Sequence, residues 1–332
     1  MMRSKLLLIL CFLGLTVAGC SIHEVPDGGQ SAAVALSLEI NLDEDMPQYA
    51  SIAYATKAAA PQARYILRFF PIVNETVVYD APFEFIGTED DLISRRYVLD
   101  VPPMNYRLEA WADWAYDDRV FYNAADFGAI AVNTKPYTGA SPFRDAFCGA
   151  RDIDLSGYTG NHSIATSSIT LRRPNARYNF ISTDREEFVD YWASQVAMNN
   201  GTTVKDPDAI DLSKIKVVVS YPQYMPSTYN LREEEVTDSA TGVSFETGIT
   251  TLKDGSLLVA WDYVLASGDE PSVVVSLAFY DENGALINRI DNLQVPVSPG
   301  LVTNITGKLL TSNFSSGIRI DPTFDGEYEV HI

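Results

Sequence analysis

From Ala32 to Leu42 apolar and polar residues take turns: Val34, Leu36, Leu38 and Ile40 against Ala35, Ser37, Glu39 and Asn41. That two-residue period predicts a half-buried strand. A long loop follows, Asp43 to Gln62, with Lys57 and an alanine run before Pro61. Arg64 to Phe70 predicts the next strand, closed by Pro71. Tyr97 to Val101 and Tyr106 to Trp114 predict two strands joined by the turn Pro102-Pro103-Met104-Asn105. Ser163 to Leu171 and Ala176 to Ile181 flank Arg172-Arg173-Pro174-Asn175.

One segment has helical spacing instead. Thr183 or Asp184 can cap it, Glu186 or Glu187 lies in its first turn, Phe188, Tyr191, Trp192 and Val196 form its apolar stripe, and Gly201 lies past its end. Strand signals then return. Ile215 to Tyr221 ends at Pro222, and Leu257, Val259, Trp261, Tyr263 and Leu265 alternate on one face. Ser272 to Tyr280 and Ala285 to Leu293 predict a hairpin around Asp281-Glu282-Asn283-Gly284. Leu301 to Leu309 and Ile318 to Ile320 complete the set. The pattern predicts a mostly β protein of two β-sandwich-like domains with one short helix in the second half. The expected division is 32–174 and 175–332, with the boundary near Arg173 to Asn175.

The first residues read as an export signal. Arg3 and Lys5 supply positive charge, Leu6 to Leu15 an apolar run too short to span a bilayer, and Thr16-Val17-Ala18-Gly19 a small-residue cleavage site. Residues 1–19 are therefore expected to be removed, and 20–31 to form a flexible tether with Pro26, Gly28 and Gly29. Cleavage leaves Cys20 and Cys148. With Cys20 modified, Cys148 has no disulfide partner, so stability must come from a core. No later run is apolar enough to span a membrane.

The formal charge is −20, from 24 basic and 44 acidic residues, and becomes −22 when Arg3 and Lys5 leave. Such a balance argues against a nucleic-acid partner and against electrostatic adhesion to anionic lipid. Three histidines, His23, His162 and His331, have no metal-ligand spacing. Cys148 has no histidine nearby in sequence and reads as a small buried hydrophobe. Asp43-Glu44-Asp45, Glu89-Asp90-Asp91 and Asp117-Asp118 match no EF-hand loop, and solvated turns are their commoner role. There is no phosphate loop or dinucleotide fingerprint. No catalytic residue, metal site or cofactor is predicted, and the chain reads as a non-enzyme. Trp111 and Trp114 have opposite parity on one strand, so one of them can be exposed and stack on a sugar ring; the commoner arrangement has one fill the core and the other pack under a loop or edge.

Val17-Ala18-Gly19-Cys20 resembles a bacterial lipobox, which implies a lipid on Cys20 and anchorage to the outer membrane. Asp238-Ser239-Ala240, in an expected loop, resembles the short O-glycosylation site of Bacteroidetes envelope proteins, with Ser239 as acceptor. A wider likeness rests on Val98-Leu99-Asp100-Val101-Pro102, on Tyr106-Arg107-Leu108-Glu109-Ala110-Trp111-Ala112-Asp113, and on Leu171-Arg172-Arg173-Pro174-Asn175-Ala176-Arg177. It continues in Asn304-Ile305-Thr306-Gly307-Lys308-Leu309-Leu310 and in Ile318-Arg319-Ile320-Asp321-Pro322-Thr323-Phe324-Asp325-Gly326. These stretches resemble the fimbrillin-like lipoproteins of Bacteroidetes, the type V pilin superfamily. The resemblance implies a two-domain β-sandwich at the cell surface or in a fimbrium, with other fimbrial subunits as partners. It also implies that an arginine-directed protease removes the first strand, here Ala32 to Leu42, after Arg64 or at Lys57. A neighbour's C-terminal strand then fills the groove, and Ile318 to Ile332, with Tyr328, Val330 and Ile332 alternating, is the expected donor. The alternative is a monomeric surface lipoprotein that binds a glycan or a host or bacterial surface ligand. A hydrolase using paired carboxylates has the least support.

Overall fold

The computed structural model describes residues 33–43, 61–116, 119–158, 164–203, 206–207, 210–268, 272–311 and 327–331. Residues 1–32 lie outside this set, as do Lys57, Asp117, Asp118 and Ile318–Ile320. The chain is mostly β. Its first half runs β1 (Val34–Leu42), β2 (Gln62–Val73), β3 (Thr76–Val77), β4 (Phe83–Glu89), β5 (Arg95–Val101), β6 (Asn105–Ala115), β7 (Tyr122–Asn123), β8 (Ile130–Val132), β9 (Ala146–Asp154) and β10 (Ile164–Leu171). Next come β11 (Asn175–Ser182) and the helix α1 (Arg185–Asn199), followed by β12 (Lys216–Ser220), β13 (Met225–Asn230), β14 (Glu235–Ala240), β15 (Ser244–Gly248) and β16 (Thr250–Thr251). The chain ends with β17 (Leu257–Leu265), β18 (Ser272–Tyr280), β19 (Leu286–Pro296), β20 (Val302–Gly307) and β21 (Glu327–His331).

Two layers enclose the first core. One is the sheet β10-β1-β5, the other β3-β2-β6-β9 with β4 paired to β2. Leu36, Leu38 and Ile40 from one layer meet Leu67, Phe69 and Leu108 from the other. The second half repeats the arrangement, with β16-β17-β11-β20-β21 facing β15-β12-β18-β19 around Val217, Val219, Leu277, Phe279 and Ile305. A further sheet, β14-β13-β8-β7, ties the halves together, because β8 comes from the first and pairs with β13 of the second. The second core accordingly continues through Phe127 and Ile130 onto Ile66 and Trp111, on the back of the first half's sheet.

Local departures from the sequence pattern have visible causes. Pro71 does not end its strand: β2 runs to Val73, Pro71 sits opposite Tyr106, and its carbonyl accepts from Val78 N–H at 2.8 Å. A proline donates no ladder bond, and none is needed where β4 has already stopped pairing at Phe69. Strand β17 is buried on both faces rather than one. A bulge against β11, between Phe180 and Ile181, shifts its parity. Leu257 and Val259 join the large core, while Trp261 and Tyr263 pack on the other face with Leu258 and Val302. Helix α1 buries Phe188, Ala193 and Ala197 and leaves Tyr191 and Val196 of the expected stripe exposed. Asp184 sits at the N-cap without capping. Its carboxylate instead accepts from Thr311 N and Oγ1 at 2.7 Å each and from Leu310 N at 3.2 Å, which fastens the end of the β20 segment to the helix start.

Candidate functional site

Strand β1 fills a groove between two partners of opposite direction. It runs parallel to β10, from Ala35 opposite Ile164 to Leu42 opposite Leu171, and antiparallel to β5, from Val34 opposite Val101 to Ile40 opposite Arg95. Beyond its end, Asp43 N–H donates to Leu171 O at 2.9 Å, and Leu42 N–H to Ser94 Oγ at 2.9 Å. Val34, Leu36, Leu38, Ile40 and Leu42 are buried, while Ala35, Ser37, Glu39 and Asn41 are half-exposed. Full burial of five such side chains is worth on the order of 10 kcal/mol of transfer free energy, before the entropic cost of ordering the strand. On the outer face only Glu39 makes an ion pair, with Arg96 at 3.1 Å, and both are largely solvated. The groove thus reads alternate apolar side chains plus backbone, which any nine-residue strand of the same period can offer.

The residues expected to act around this groove fare differently. Arg64 lies inside β2, paired on one side with β4 and on the other with β6. Its guanidinium grips fully buried Asp113 through two bonds, 2.9 and 2.7 Å, and reaches Tyr122 O at 3.1 Å. A protease needs an unpaired extended chain, so the folded protein does not offer the bond after Arg64. Lys57 lies outside the described residues, as does Cys20.

Trp111 is no ligand platform either. It is fully buried against Tyr122, because β7, β8 and β13 cover that face of β6. Trp114 is partly buried and packs edge-on against Phe143 with centroids 5.3 Å apart. Cys148 is buried and free, and burial pushes its thiol well above the ordinary range. Asp238-Ser239-Ala240 belongs to β14, not to a loop, and Ser239 stands exposed on this edge strand. Among the described residues no three His, Cys, Asp or Glu side chains converge as metal ligands would, and no helix is long and apolar enough to cross a membrane.

A second polar cluster escapes sequence reading. A short 3-10 turn, Pro142–Arg144, drops Arg144 into the seam between the halves. Its guanidinium stacks on Tyr137 at 4.4 Å and lies 3.8 Å from Asp262. Asp262 Oδ2 accepts from Tyr137 at 2.6 Å and Tyr221 at 2.7 Å, and Asn175 Nδ2 donates to Arg144 O at 2.9 Å. Burial raises the carboxyl of Asp262, opposed by Arg144 and the two phenols. The one sequence signal was a lone acid in the apolar run Val259-Ala260-Trp261-Asp262-Tyr263, since a carboxylate there needs a buried partner.

A model of one protein family, described as a family of unknown function (DUF6562), matches residues 28–332. The chain belongs to the DUF6562 family. No curated protein matches this DUF6562 chain in sequence. Solved structures similar to it include a candidate adhesin from Bacteroides ovatus, 11% identical with a TM-score of 0.41, covering 95% of this chain and 97% of that one. A fimbrial assembly protein from Parabacteroides distasonis is 10% identical with a TM-score of 0.36, covering 82% and 90%. The tip fimbrial protein Mfa3 from Porphyromonas gingivalis is 8% identical with a TM-score of 0.37, covering 78% and 81%. At such scores their likeness to the DUF6562 chain is distant.

Proposed function

We propose that the protein is a fimbrial, pilin-like subunit, structural or adhesive, exported as a lipoprotein through Cys20 and held at the outer membrane. One observation carries the reading: β1 is a terminal strand held between β5 and β10 by a backbone ladder and one row of apolar side chains. Its removal leaves a groove that a neighbour's strand of like period can enter. With Arg64 locked in β2, Lys57 in segment 44–60 becomes the better cleavage candidate. Tyr328, Val330 and Ile332 offer the donor's alternation. The units 32–174 and 175–332 are proposed as the two sandwiches of one subunit, with Ser239 as an accessible site for a glycan.

The test is N-terminal mass analysis of protein from a sheared surface fraction, together with a chain truncated after Thr311. A new N-terminus within 44–60 and loss of filaments on truncation are the expected results. An acylated Cys20 with β1 still attached, and normal filaments without the tail, would overturn the strand-exchange reading. A second reading, a monomeric surface lipoprotein that binds a glycan or host ligand, draws on one feature: the arginine that strand removal calls for is tied to Asp113.

A further inference from the structure

A cavity of about 300 Å³ opens beside Tyr224, where β13, β14, β17 and β18 meet at one end of the second half. Its apolar walls are Pro226, Val236, Leu265 and Val297, and none of its described lining residues carries a charge. Two serines, Ser267 and Ser272, line it. Ser267 Oγ accepts from Val236 N–H at 2.8 Å, and Ser272 Oγ accepts from Gln294 Nε2 at 3.0 Å. An oxygen already accepting from a protein N–H keeps its own proton to donate. The rim is aromatic: Tyr224 is 54% exposed, while neighbouring Tyr221 and Met225 are buried. Pro222 and Pro226 lie two residues to either side of Tyr224.

We propose that this pocket binds one uncharged sugar ring. A pyranose carries an apolar C–H face and a rim of oxygens, matching an exposed tyrosine beside two O–H donors. The described lining offers an anionic sugar no cation to compensate for lost hydration. This inference deepens the adhesive role proposed above by giving it a ligand class, and it rests on that reading for where such a sugar is met.

The experiment is saturation-transfer NMR of the full secreted chain with methyl glycosides of glucose, galactose, mannose and N-acetylglucosamine. Glucuronic acid serves as the charged probe and N-acetyl-leucine amide as the apolar peptide probe. At least one neutral glycoside is expected to show transfer. Tyr224→Ala should weaken it about tenfold, whereas Tyr224→Phe should retain it, both with an unchanged unfolding midpoint because Tyr224 is half-exposed; Trp114→Ala should retain it too. No transfer to any neutral glycoside, transfer that survives Tyr224→Ala, or preference for either control probe would overturn the proposal. Scoring filament assembly on the same samples separates the two readings. Assembly without transfer removes the sugar site and leaves the fimbrial subunit, whereas transfer without assembly does the reverse.

Discussion

Strands β1 and β11 occupy the same place in the two halves. Each lies between an antiparallel partner, β5 or β17, and a parallel one from late in its half, β10 or β20. They differ in what their outer faces do. Strand β1 buries alternate residues and leaves the rest half-exposed. Strand β11 is buried almost throughout, and its second face carries polar groups with named partners. Arg177 bonds Asn179 at 2.9 Å and lies 4.2 Å over Trp261, and Asn179 bonds Asn304 at 2.8 Å. A one-faced strand specifies little beyond its period, so another chain can replace it. A two-faced strand with buried polar partners specifies its own sequence.

Removing β1 should break the comparison most visibly. A chain lacking 33–43 is expected to lose tertiary order in its first half and to regain it on addition of a peptide of sequence 33–43, followed by hydrogen exchange. A peptide of β11 should fail to rescue a chain that lacks β11, and successful rescue would erase the distinction. Next in size, Phe180→Ala in β11 should cost about 3–5 kcal/mol in urea unfolding, because it opens a cavity in the shared core. Leu38→Ala in β1 should cost about 2–5 kcal/mol, with increased exchange confined to the first half.

The pH response should also divide the molecule. Burial raises the carboxyls of Glu109, Asp113, Asp145 and Asp262, each opposed by an arginine, and all lie on the back of β6 or in the seam. A carboxyl raised in the folded state binds its proton before the unfolded one does. Their contribution to stability is therefore fullest below the ordinary value of about 4 and is lost as pH rises through the raised value. Mild acidification from neutral toward pH ~5 should leave the seam intact or firmer. Loss of seam protection over that range, read by hydrogen exchange, would contradict the assignment. Smallest of all, Glu39→Ala should change stability by less than ~1 kcal/mol, since its partner Arg96 is solvated.

The hairpin of β18 and β19 was legible because Gly284 takes a left-handed φ of +80° in a turn between alternating strands. The first strand was legible for the same kind of reason, since period and burial coincide wherever one face meets water. For Trp111 and Trp114 parity told which residues share a face, not what covers it. Arg64 was read at the start of a strand, but its carboxylate partner, 49 positions away, was not legible. Tyr224 was passed over, because an aromatic between prolines has no period to mark it.

By itself the sequence determined the strand periods, the turns, the acidic surface and the apolar row that β1 inserts. These follow from local rules, alternation and turn chemistry, that act within a few residues. Only the tertiary structure decided which back face is covered, that Arg144 meets Asp262 in the seam, and that β1 and β11 are topological counterparts with unequal specificity. Those outcomes depend on contacts between segments distant in sequence, 118 positions for Arg144 and Asp262, and burial there is a property of the assembled layers rather than of any one strand.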